Sequence, residues 1–467
     1  MVSRRRMLRM AVLGVVGAAG CLDGNRGSTP PPSTTPTADR TDTAMSPTPP
    51  STTNKDPDGT PDSTVDVEDW EPRWSVPMEN GHTLAIDVAG AQLFVTASTP
   101  DGPSAVVAVD PTAPSVDWRT EFDGEAESGS NGDPRTIARD QWGVTVAGDT
   151  LLSVNGHSEE YEWTAVHALD RPTGDRRWSI RRDRFLTVHG RSGDLLIVSG
   201  REFFVPESTH DVPEEPLESI VYGIDITTGE VRWETRHAGV AGVAVSAPAI
   251  YVAALDRLVA IGHDGRTKWS YSVDKEARTV RATNERVYFL SRLPNHESTV
   301  YGLSHEGDQV WEHDLPVGEA LLDNGRLFLG GHQTLRLAPD GSIVWRDRAV
   351  GQWLLLDPAA DTLYTRAGRA LDRVTAYDAE TGDRRWTFVP PDLSSRNAWP
   401  LAATDGTVVA EGITAHDADD SFTSLYAVDA DTGDLERTTA REPIFDMATV
   451  NGLAVLAGAD VVAFDAP

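Results

Sequence analysis

The chain has 467 residues and a formal net charge of −31, with lysine only at Lys55, Lys268 and Lys275. That length allows two or three ordinary domains or one large β architecture, and the charge argues against nucleic acid as a partner, since phosphate contacts need clustered Lys and Arg. Carboxylates in this excess suit a protein living in concentrated salt, where the Debye length shrinks to about 3 Å at 1 M and self-repulsion is screened.

The first residues read as an address. Ser3-Arg4-Arg5-Arg6-Met7-Leu8-Arg9 resembles the twin-arginine export motif, with Arg4 and Arg5 as its pair. The apolar run Met10 to Ala19 that follows is about ten residues, far short of the roughly twenty that span a bilayer. Ala18-Ala19-Gly20-Cys21 resembles a lipobox, departing from the usual pattern in having Ala18 where Leu is customary. Lipidation is expected at Cys21, which would anchor the protein to a membrane. Cys21 is the only cysteine, so the chain holds no internal disulfide and no thiolate metal cluster. Residues 1–21 are therefore expected to be the signal peptide. Residues 22–69 are rich in Thr, Pro, Ser and Asp and almost free of large apolar side chains, so they cannot repay the entropy of ordering. They are expected to be an extended stalk.

From residue 70 onward one pattern recurs. VHALDRPTGDRRWSI carries Trp178, VYGIDITTGEVRWET carries Trp233, and VTAYDAETGDRRWTFV carries Trp386. Looser versions carry Trp118, Trp269, Trp311 and Trp345, and LYAVDADTGDLERTT keeps the turn with Arg437 in the tryptophan's place. Trp74 lies in the tail of a unit whose head is at the C-terminus. Successive tryptophans lie from 34 residues (Trp311 to Trp345) to 60 residues (Trp118 to Trp178) apart. In each full copy an Asp ends a β-like run and can accept from amides two and three residues on. Gly174, Gly229, Gly382 and Gly433 supply the positive φ of the turn, and the tryptophan four residues later is expected to bury against the next unit. Two further β-rich runs precede each turn, so a unit is four short strands. Such units in series predict an all-β propeller, its ring closed by pairing the N- and C-terminal strands so that no edge is left free.

These AxDxxTGxxxW units resemble the quinoprotein-type (PQQ-like) β-propeller repeat found in alcohol dehydrogenases and in the outer-membrane assembly lipoprotein B family, over residues 70–467. WD40 repeats close on Trp-Asp, which no unit here does. The resemblance implies eight blades, the number expected here, although the literal count of unit endings is nine.

In a four-strand meander the first-to-second and third-to-fourth turns share one face. The long insertions all fall on the other face, where binding usually lives. Its aromatics, Trp142, Tyr161, Trp163, Phe203, Phe204, Trp399 and Phe422, form the candidate binding face for a protein or glycan. Asp417, Asp419 and Asp420 are a weak oxygen-ligand candidate for a cation, lacking the glycine and distal Glu of a calcium loop; no metal is expected. No catalytic constellation stands out. The reading therefore favours an exported, lipid-anchored, non-enzymatic binding or scaffold module at the cell surface, with no cofactor. The resemblance leaves two alternatives: a dehydrogenase using pyrroloquinoline quinone with calcium, and an envelope-protein assembly factor. Family enzymes hold the quinone with a stacking Trp and vicinal cysteines, and the vicinal cysteines are absent here.

Overall fold

The computed structural model describes residues 68–78, 82–98, 104–122, 143–157, 163–202, 217–292, 298–368, 371–391, 398–404, 406–415, 421–441, 446–458 and 460–465. Arg4, Arg5, Cys21 and the expected stalk up to residue 67 lie outside them.

Each repeat folds as an antiparallel meander of four strands, in chain order from the innermost strand to the outermost. Among the described residues there are nine such blades: I (82–122), II (143–182), III (185–238), IV (240–272), V (276–315), VI (317–347), VII (351–388), VIII (398–441) and IX (446–465). Blade IX has only three strands of its own. Its outermost strand is Trp74–Pro77, which pairs antiparallel with Asp460–Asp465. The expected closure of the ring is thus found, and the expected number of eight is corrected to nine. Every unit ending builds a complete sheet, including the short unit of Trp345 and the one ending in Arg437, and the split unit makes the ninth. The innermost strands of successive blades neighbour one another, including blade IX back to blade I, while the innermost strand of blade III lies against the second and third strands of blade II.

Second and third strands lie between neighbouring blades on both faces, which is why their sequences are continuous apolar runs. Ile250–Ala254 and Ser298–Leu303 are buried at every position. The outermost strands face solvent on one side and alternate instead, as Val231–Ala238 does.

The tryptophans are the joints between blades. The indole N–H of each one donates to a carbonyl in the third-to-fourth turn of the next blade: Trp118 to Arg171, Trp178 to Ile226, Trp345 to Ala379, Trp386 to Ala430, and Trp74 to Pro111 across the closure, at 2.7 to 3.1 Å. Except at Trp74, whose partner turn in blade I has no glycine, the ring lies against the turn glycine. At Gly174, with φ of +77°, an added Cβ would sit 2.5 Å from Cε3 of Trp118. Glycine is required there twice over, for the backbone and for the contact.

The repeated Arg-Arg-Trp now has a reason. The second arginine, Arg177 or Arg385, donates to the turn aspartate, Asp170 at 2.7 Å or Asp378 at 2.9 Å, and to a second-strand threonine, Thr150 or Thr362. Asp225, Asp378 and Asp429 also accept from the amides two and three residues on, as expected.

These bonds hold the carboxyls below their usual range. The arginine is the leading cause at Asp170, Asp225 and Asp378, the Thr432 amide at Asp429, and Asp378 falls to about 2. A carboxyl lowered in the folded state stabilises the fold above its unfolded pKa of about 4 and loses that contribution as pH falls through the folded value. Urea unfolding at fixed salt is therefore expected to show stability declining between about pH 4 and pH 2, and a flat profile across that window would refute the role given to these turns.

Candidate functional site

The turns on one face are short, such as Gly90-Ala91 and Asn324-Gly325. The other face carries the long connections, the longest running from Phe122 to Gly143. Trp142, Tyr161, Phe203, Phe204 and the trio Asp417, Asp419 and Asp420 lie outside the described residues. Phe422 lies in the strand Ser421–Asp429, but its side chain is outside the description. Trp163 and Trp399 are described, and neither is an open platform: both are buried, each under a guanidinium. The Cζ of Arg181 lies 4.2 Å from the Trp163 ring and that of Arg366 lies 4.3 Å from the Trp399 ring.

Arg366 leads to a cluster that spans three blades at this end of the ring. It lies next to the end of the second strand of blade VII (Thr362–Ala367), is only 6 % exposed, and donates through Nε to the carbonyl of Leu371 at 3.0 Å. Two glutamates act on its charge: Glu319, from the first strand of blade VI, and Glu411, buried in the second strand of blade VIII. Burial pulls the guanidinium down to about 10 against the attraction of the two glutamates, so it remains a cation at neutral pH. Burial also pushes the Glu319 carboxyl up.

Glu319 does a second thing. Its Oε2 accepts the backbone N–H of Trp353 at 2.7 Å. Trp353 sits in a bulge of the innermost strand of blade VII, between Gln352 and Leu355, with φ of +58°. A bulky residue there is strained unless its surroundings hold it, and the Glu319 bond is what holds it. The bulge re-aims the indole, bringing the Arg366 guanidinium to 6.0 Å from the ring. Close by, Gly351 has no alternative: an added Cβ would stand 2.0 Å from Oγ1 of Thr334. The hydroxyls of Thr334 and Thr365, the amide nitrogen of Gln333 and the indole nitrogen of Trp353 are buried without a hydrogen-bond partner among the described residues.

Elsewhere on the inner ring, Asp446 accepts from the amide of Ile86 and Asp87 from that of Val146, each bond crossing to the next blade. These carboxylates are staples. The cluster of Glu319, Trp353, Arg366, Trp399 and Glu411 sets one buried cation beside two glutamates and two indoles, and so ties blades VI, VII and VIII together at this end of the ring. Sequence reasoning singled out only Trp399 among its members. The available signal was a lone charge inside an apolar strand run, as in LYTRA around Arg366 and VVAEG around Glu411.

Comparison with known proteins places the repeats. The family described as outer membrane protein assembly factor BamB matches residues 62–239, 217–331 and 296–466. No curated protein sequence matches. Among solved structures, BamB from Moraxella catarrhalis aligns at a TM-score of 0.47 and 14% identity, over 85% of this chain and 97% of that one. The quinohemoprotein alcohol dehydrogenase from Comamonas testosteroni aligns at 0.46 and 15%, over 85% and 76%. Sqt1 from Saccharomyces cerevisiae aligns at 0.48 and 10%, over 86% and 100%.

Proposed function

We propose a function from one premise: the chain belongs to the family of outer membrane protein assembly factor BamB, built of PQQ-like propeller repeats. On that footing it is an exported, lipid-anchored, non-enzymatic module that binds a partner protein or glycan at the outer face of the cell membrane. Arg4 and Arg5 direct export, Cys21 carries the lipid, and residues 22 to about 67 are the stalk. The observation that carries the reading is the asymmetry of the ring: connections on one face are short, while the longest connection, Phe122 to Gly143, is on the other. The family's description supports a related reading, an assembly factor for envelope proteins, and partner binding on the long-loop face is common to both.

The quinone alternative fits these residues poorly. The only cysteine is Cys21, so no vicinal pair can flank a cofactor. Among the described residues no group of three His, Cys, Asp or Glu is placed to hold a metal ion, and Arg366 is already engaged by two glutamates and the Leu371 carbonyl. Pyrroloquinoline quinone with calcium, titrated into the full chain in high salt, is expected to give no saturable heat and no change in quinone absorbance. Saturable binding of both would return the dehydrogenase reading.

Two experiments test the rest. Cys21→Ser is expected to shift the protein from the membrane fraction to the medium, and unchanged membrane association would remove the anchor from the proposal. A photo-crosslinking residue at Phe203, on the long-loop side, is expected to capture a partner on intact cells, while one at Asn324 on the tight face is expected to capture none. Equal capture from both would sink the assignment of the face.

A further inference from the structure

Eight of the nine blade junctions carry the expected tryptophan. The junction from blade VIII to blade IX does not, because its position is Arg437. The register is unambiguous: Arg437 pairs with Ala427 as Trp386 pairs with Ala376, Trp178 with Ala168 and Trp118 with Ala108.

The place is filled from another part of the chain. Glu68 and Asp69, assigned from sequence to the stalk, form a fifth strand on blade VIII, parallel to its outer edge, with Glu68 opposite Arg437 and Asp69 opposite Thr438. The next residue, Trp70, donates its backbone N–H to the carbonyl of Thr438 at 2.9 Å and turns its ring inward. The ring is 2 % exposed and packs on Phe464 at a centroid distance of 4.8 Å, in a socket formed by Val409, Leu425, Ala427, Ala454 and Leu456. Its indole N–H donates to the carbonyl of Asp465 at 3.0 Å. Asp465 ends the third strand of blade IX as Asp429 ends that of blade VIII. At the other junctions the indole bonds the carbonyl one residue beyond this Asp position; here it bonds the Asp itself.

We propose that Glu68–Trp70 is a latch: a separately seated segment that supplies the tryptophan blade VIII lacks, so that the VIII–IX junction is closed only when the segment leading in from the N-terminus is docked. The latch and the strand Trp74–Pro77 are distinct devices. The first completes blade VIII and seals it to blade IX. The second completes blade IX and, through Trp74, seals it to blade I. When the latch leaves, it uncovers at once a strand edge and an aromatic socket, and the occupant that fits both is an extended segment with a tryptophan directly after its paired residues. This inference does not rest on export or lipidation.

The test is a double-mutant cycle in the full chain, read as thermal midpoint in high salt. Trp70→Ala is expected to lower the midpoint. Arg437→Trp alone is expected to lower it as well, because the socket already holds Trp70. The same Arg437→Trp change made in the Trp70→Ala chain is expected to raise the midpoint, so one substitution changes sign with the state of residue 70. An Arg437→Trp effect of the same sign and size in both backgrounds would overturn the proposal. Should Trp70→Ala fail to fold, Trp70→Phe serves in the same cycle. A paired readout uses Glu68→Cys with Arg437→Cys in a Cys21→Ser background. Oxidation is expected to link the two within one chain and raise the midpoint, and a pair that stays reduced under mild oxidant would equally overturn the latch.

Discussion

Replacing Trp386 by alanine is expected to lower the unfolding free energy by roughly 3–5 kcal/mol, the range for removing a large buried aromatic. The ring is 8 % exposed, lies on Gly433 of the next blade, and has Tyr364 of its own blade at 5.7 Å behind it. Truncation empties the space between blades VII and VIII. Neither side can close over it, since each is held by its own four-stranded ladder. The carbonyl of Ala430 also loses the indole N–H, which adds the cost of an unmet acceptor. Trp233 makes the same hydrogen bond, to His263, from a half-buried position. Trp233→Ala is therefore expected to cost distinctly less. Guanidinium unfolding of both variants in the same salt checks the pair, and equal losses would show that burial is not what sets the strength of a junction.

The second large effect is expected at Arg366. Arg366→Ala removes a cation that acts on both Glu319 and Glu411, and breaking a buried pair from one side costs about 3–5 kcal/mol. The loss should depend on pH with a definite sign. Burial already pushes the Glu319 carboxyl above its usual range, and without Arg366 it rises further. A carboxyl raised in the folded state destabilises the fold as pH climbs above the unfolded value. The gap between variant and wild type should thus be small near pH 4 and full at pH 8. Adding Glu319→Gln to Arg366→Ala is expected to recover part of it. A gap independent of pH would mean that Arg366 matters through packing and not through charge.

The fold was legible in the sequence because its joints repeat. Asp, Thr-Gly and Trp stand at fixed offsets, and each offset answers a local demand: an acceptor for turn amides, a positive φ, a ring for the next blade. The number of blades is legible too, in the count of unit endings and not in the number the resemblance implies. Trp70 was not legible. It serves a junction whose own position is almost 370 residues further on, and it lies in a stretch that reads as the end of the stalk. The cluster at Arg366 was hidden for a related reason. Glu319, Trp353, Arg366, Trp399 and Glu411 share no motif, and they converge because three consecutive blades bring the same end of their inner strands together. The loop aromatics were visible in the sequence, but their type did not reveal that Trp163 and Trp399 would be covered by arginine.

Blade IX joins strands made far apart in synthesis. Trp74–Pro77 leaves the ribosome well before its partners 446–465. At about 5–20 residues per second, the early strand waits roughly 20–70 s for them. Throughout that interval it is a strand without a sheet, and Trp70 has no socket. The segment's make-up suits the wait: its strands are two and four residues long, Glu68, Asp69, Glu71 and Arg73 keep it charged, and Pro77 removes a ladder donor. A newborn chain of this kind can fold blades I to VIII in order while guarding against pairing with its neighbours, and it becomes a ring only once residues 446–465 have been made.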